Sequence, residues 1–143
     1  MHNPKLVHAA APLGEHFTPG HSSLTERERE IAVLVITSRW HSAYPTGAHE
    51  KRGTEVGLST SAVEAIIDGR PASFPDQREQ VVYEVAMALA GGRLVSQGLH
   101  DRAVKALGHE SITDMIVLMG YHTAVSLTMN FYAVPAGSSG LAR

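Results

Sequence analysis

The chain has 143 residues, 43% of them apolar and 18% charged, with a formal net charge of −2. That balance fits one globular domain around a single core and excludes a disordered chain. No Lys/Arg-rich run offers a footprint for nucleic acid, and the absence of cysteine excludes disulfides, thiolate nucleophiles and zinc–thiolate sites.

The predicted elements are helices throughout. Asn3 caps a first helix with Pro4 in its opening turn; Pro12 should kink or shorten it, and Thr18, Pro19 and Gly20 close it. Thr25 and Glu28 form a capping-box pattern opening a second helix that runs to about Trp40. Pro45 suits the first turn of a third helix, which Gly57 stops, and Ser59 caps a short fourth that ends at Gly69. Phe74, Pro75 and Asp76 lead into a fifth. Its Val81, Val82, Val85, Ala86 and Leu89 recur at helical spacing before Gly91 and Gly92 end it. Ser96 caps a sixth ending at Gly108, and the last helix runs from about Ser111 to Tyr132, short of Pro135.

No strand-like alternation bounded by hairpin turns is present. The expectation is therefore an all-α bundle of six to eight helices filling one domain, 1–143, with 137–143 a loose glycine-serine tail. The short loop between the second and third helices predicts an antiparallel hairpin of Thr25–Trp40 with Tyr44–Val56. Two stretches, Ile31 to Ile36 and Ile112 to Met129, are apolar nearly all round. Such helices need cover on every side, so a homo-oligomer is expected. The second stretch is broken by Asp114, Gly120, His122, Ser126 and Thr128, and reads as a buried helix and not a membrane span. His2, Asn3 and Pro4 stand where a basic-then-apolar leader would begin, so a soluble, cytoplasmic protein is expected. The nine histidines form no HxH or HxxxH pair and read as surface, cap and core groups, with no metal site among them.

The chemistry concentrates between Leu24 and Ile66. Glu30 stands directly before the apolar run, where a carboxylate is costly to bury without a partner; its neighbours Glu26 and Glu28 read as solvated. His49, from the next helix, is a natural partner, and such a pair can relay a proton near neutral pH. Tyr44, five residues before His49, is either a phenol for a substrate oxygen or an aromatic lid on the core. Ser42 reads as a hydrogen-bonding or loop group, and Trp40 as pocket wall or subunit contact. His122, mid-helix in apolar surroundings, needs a partner and is a second pocket candidate, with Tyr83 and Asn130 as further lining residues.

The segments LTEREREIAVLVI, AYPTGAHE and GLSTSAVEAI resemble the core of the carboxymuconolactone decarboxylase-like superfamily, which includes the alkylhydroperoxidase D-like proteins. The likeness extends over nearly the whole chain, from HNPKLVHAAAPLGEHF to the helix that ends at NFYAVP. It implies the alkylhydroperoxidase D-like helical fold and assembly into trimers or hexamers. The peroxidase members place a Glu, a Cys-x-x-Cys and a His in order. Counting back from His49 puts Pro45 and Ser42 at the thiol positions, with Glu30 in register twelve residues before Ser42. In other members an aromatic-Glu-Trp-x-x-His pattern occurs, which Tyr44 matches and Pro45 and Thr46 do not.

What the resemblance implies is a cofactor-free enzyme that decarboxylates or isomerises a small organic acid or lactone. Glu30 and His49 would be the acid/base pair, and Tyr44 would orient an oxygen. Thiol peroxidase chemistry is disfavoured, because it needs a peroxidatic and a resolving thiol. The alternative is a non-catalytic oligomer of the same fold that binds a small ligand. LTEREREI also resembles the start of a DNA-binding helix-turn-helix, but neither the turn nor the polar recognition helix follows it.

Overall fold

The computed structural model describes residues 2–137, which form six helices and no strand. They are α1 (Pro4–His16), α2 (Glu26–Arg39), α3 (Ala43–Glu55), α4 (Thr60–Ile67), α5 (Gln77–Ala90) and α6 (Gln97–Phe131). Side-chain caps start five of them: Asn3 accepts from Leu6, Thr25 from Glu28, Ser59 from Ala62, Asp76 from Glu79 and Ser96 from Leu99. The all-α bundle expected from sequence is the one observed. Gly108 adopts φ 74° and ψ 165° inside α6, a conformation an L side chain rarely tolerates, and divides the element into arms 97–107 and 109–131. α1 runs through Pro12 without the expected shortening. It lies on the surface, so the His8 carbonyl that loses its N–H partner stays within reach of solvent. The loose tail expected over 137–143 falls, beyond Gly137, outside the described residues.

α2 is the axis of the molecule. Residues 31–37 are all buried, and α3, α4, α5 and α6 pack around them. Full burial of each Ile, Leu or Val is worth about 1.5–3 kcal/mol, so this one run dominates the core. Its only polar member, Thr37, donates back to the Leu34 carbonyl at 3.4 Å. Pairings along the helices set the directions. Glu26 meets Arg52 and Glu30 meets His49, so α2 and α3 form the predicted antiparallel hairpin. Arg27 and Glu28 meet Glu79 and Arg78, while Arg39 reaches the Ala90 carbonyl, so α5 runs parallel to α2.

That parallel pair is tied by two crossed ion pairs. Arg78 holds Glu28 through Nε–Oε1 at 2.7 Å and Nη2–Oε2 at 3.2 Å, and Arg27 holds Glu79 from the opposite side. Glu28 is only 2% exposed, which corrects the sequence expectation that it is solvated. The capping box folds its side chain back onto the Thr25 N–H, at 3.0 Å, and the Arg78 guanidinium supplies the charge that burial demands. Glu26, two residues earlier and on the opposite side of the helix, does stay exposed.

α2 is thus covered inside one chain, and its apolar circumference calls for no partner. α6 differs. Ile116, Val117, Leu127 and Phe131 form an outward apolar face, and Phe131 is 82% exposed. α1 buries none of its side chains. It is held where Asp114 of α6 accepts from His16 Nε2 (2.9 Å), Ser22 Oγ (2.7 Å), and both the N–H (3.0 Å) and Oγ (2.9 Å) of Ser23. Burial works to raise the Asp114 pKa, and these bonds outweigh it, bringing the carboxyl down to about 2. Among the described residues no helix is long and apolar enough to cross a membrane.

Candidate functional site

The capping box sets where α2 begins, and Glu30 follows at its second turn, facing α3. The carboxylate is 2% exposed. Its Oε2 lies 2.6 Å from Nδ1 of His49, in the middle of α3. A carboxylate can only accept, so Nδ1 carries the hydrogen and Nε2 is left to meet a ligand. This is the same division of labour by which a buried carboxylate orients a catalytic imidazole.

His122, from the long arm of α6, stands edge-on to His49, with ring centroids 5.1 Å apart and an interplanar angle of 89°. Tyr121 meets His122 in a second edge-to-face contact at 5.4 Å. His122 Nδ1 is buried and has no hydrogen-bond partner among the described residues. Desolvation, reinforced by the nearby charges of His49 and Arg29, pushes its pKa down to about 3, so the imidazole is neutral across the physiological range.

These side chains border a cavity of about 300 Å³. Phe17, Pro19, Val33 and Leu118 supply apolar walls; Arg29, Arg52 and Tyr121 join Glu30, His49 and His122 as the polar ones. The Phe17–Pro19 loop is drawn over it by a hydrogen bond from Arg29 Nη1 to the Phe17 carbonyl. Gly14 lets α1 approach, since a Cβ there would sit 3.3 Å from Tyr121 Oη. In size and mixed lining the cavity suits a small organic ligand. No group of three or more His, Cys, Asp or Glu among the described residues is arranged to hold a metal ion.

Of the residues singled out from sequence, the structure brings together Glu30, His49 and His122, and leaves the others elsewhere. Tyr44 does not line the cavity. At five residues before His49 it is rotated by about 140° around α3, onto another face of that helix. Ser42 is completely buried and donates to the Ser126 carbonyl at 3.4 Å, fastening the loop to α6. Trp40 caps the far end of α2, roughly 15 Å along the axis from Glu30, where its carbonyl accepts from Asn130 Nδ2 at 2.7 Å. Tyr83 belongs to the α5 core, packs against Phe74 and accepts from the Ala72 N–H through its hydroxyl.

Sequence reasoning missed Arg29, Arg52, Tyr121 and the Phe17–Pro19 loop. Arg52 carried a readable signal, because it follows His49 by three residues and so shares its face of α3. Arg29 was hidden in a charged run. Searches against protein-family models and curated proteins found no match to this chain.

Proposed function

We propose that this chain is a cysteine-less relative of the carboxymuconolactone decarboxylase-like proteins and a cofactor-free acid/base catalyst acting on a small organic acid or lactone. The observation that carries the reading is the 2.6 Å Glu30–His49 pair on the wall of an open, mostly apolar cavity. Glu30 holds the ring through Nδ1, and Nε2 gives a proton to, or takes one from, a substrate carbon. In a decarboxylation, the C–CO₂ bond breaks and its electron pair moves into an enolate; protonated His49 then supplies the proton that quenches the carbon. In an isomerisation the same nitrogen removes a proton and returns it one position away. Neutral His122, beside His49, offers a hydrogen bond to the oxygen on which charge develops. Tyr44 has no part in this step.

The test is a panel of small lactones and oxo acids incubated in D₂O and followed by NMR for CO₂ loss, double-bond migration and deuterium uptake. Turnover should be abolished in Glu30→Gln and His49→Ala while circular dichroism stays native. Turnover that survives in both variants would end the reading. Specific binding without turnover would instead favour a ligand-binding protein of the same fold.

Self-association into a trimer or hexamer belongs to the same proposal. The outward apolar face of α6 supports it; the burial of α2 within one chain does not. Sedimentation at micromolar concentration tests it, and a single-chain mass would refute it. A cytoplasmic location is likewise part of the proposal, and fractionation of cells expressing the chain would check it.

A further inference from the structure

We infer that the cavity takes its ligand as a carboxylate anion carrying a short apolar or aromatic remainder, with Arg29 as the anchor of the carboxylate and Arg52 at the entrance. The inference rests on the acid/base reading of the same cavity for its purpose, but on separate residues for its evidence.

Arg29 has five N–H donors, and among the described residues it makes one hydrogen bond, from Nη1 to the Phe17 carbonyl. Its nearest carboxylate oxygen, Glu30 Oε1, is 4.0 Å from Nε, beyond hydrogen-bond reach. Its side chain is nonetheless only 11% exposed. A largely buried guanidinium normally has its donors filled, and this one, with donors to spare, lines the cavity. Arg52, 42% exposed, stands nearer solvent and is only loosely engaged, by Glu26 at 3.4 Å. The lining therefore holds two guanidiniums against one carboxylate, and that carboxylate is already occupied by His49.

A planar two-oxygen anion matches the fork of a guanidinium. The apolar walls, Phe17, Val33 and Leu118, can only be matched by carbon, which distinguishes an organic carboxylate from a free inorganic anion. A second arginine-lined cavity, with Arg39 and Arg93, has no such logic. There the C-terminal ends of α2, α4 and α5 converge, and their carbonyl ends account for the cations.

The experiment is calorimetric titration of the full chain with benzoate and hexanoate, with benzamide and hexanamide as uncharged counterparts, and with inorganic phosphate as competitor. The carboxylates should bind roughly 10- to 100-fold more tightly than the amides, the range expected for hydrogen bonds to a charged group. Phosphate should not displace them. Arg29→Gln should erase the preference, and Arg29→Lys should keep part of it. Equal behaviour of acids and amides, including no binding of either, would overturn the inference without needing any variant to fold. So would displacement by phosphate, or an unchanged preference in folded Arg29→Gln. A preference that persists without turnover sinks only the acid/base reading; turnover without the preference sinks only the anchor.

Discussion

His122 offers the sharpest test, because replacing it should stabilise a protein whose core substitutions ordinarily weaken it. Leucine has nearly the same volume and no polar atom, so His122→Leu removes the orphaned Nδ1 without opening a void. Burial of an unsatisfied nitrogen costs about 1–3 kcal/mol, and the lost edge contacts with His49 and Tyr121 return about 1 kcal/mol of that. The net gain at pH 7 is about 1 kcal/mol, or roughly 2–4 °C in Tm. The pH dependence is larger. The folded pKa of about 3 lies below the ordinary 6.5, so between these values the unfolded chain binds a proton that the native chain refuses. Stability is therefore complete above about pH 6.5 and falls as the pH drops toward 3. At pH 4.5 this single group takes about 2–3 kcal/mol from the wild type and nothing from His122→Leu. Urea unfolding of both proteins at pH 7 and pH 4.5 measures the difference, which should widen by that amount. A gap that is independent of pH, or a variant less stable at pH 7, would refute the reasoning that His122 is buried neutral and unpaired.

Three further outcomes follow from particular contacts. Arg78→Met should cost about 3–5 kcal/mol in chemical denaturation, because it strands the Glu28 carboxylate in the core; adding Glu28→Gln should recover much of that, and equal losses in the single and double variants would refute the pairing. Asp114→Asn should lose about 1–2 kcal/mol near neutral pH, discounted for solvent screening. Because the native pKa is depressed, this contribution is present above about 3.8 and lost as the pH falls through about 2, so guanidinium unfolding should show the gap closing in acid. The pair Leu127→Glu and Phe131→Glu should leave subunit stability within about 0.5 kcal/mol, since both side chains are exposed in the chain, while sedimentation should show any assembly through α6 reduced to single chains.

The helical architecture was legible because its signals are local. Thr25, Ser59, Asp76 and Ser96 each accept from the backbone N–H three residues on, and Gly108 breaks the chain through its own φ. Those interactions need no distant partner, so residue type and spacing suffice. The Glu30–His49 contact was also within reach, because a short loop between two capped helices sets their register. Long-range contacts were not. Whether Glu28 is solvated or buried depends on Arg78, fifty residues away, and that decision belongs to the packing of α5 alongside α2. The same holds for α2's apolar circumference, which α3, α4, α5 and α6 cover without a second chain, and for Tyr44, which helical rotation carries off the cavity. Arg29 looked like one charge among several; only the closure of α1, α3 and α6 around it leaves its donors unfilled beside a cavity. Local backbone chemistry specified the elements, while the desolvation that gives a charged side chain its role arises only when elements distant in the chain exclude water together.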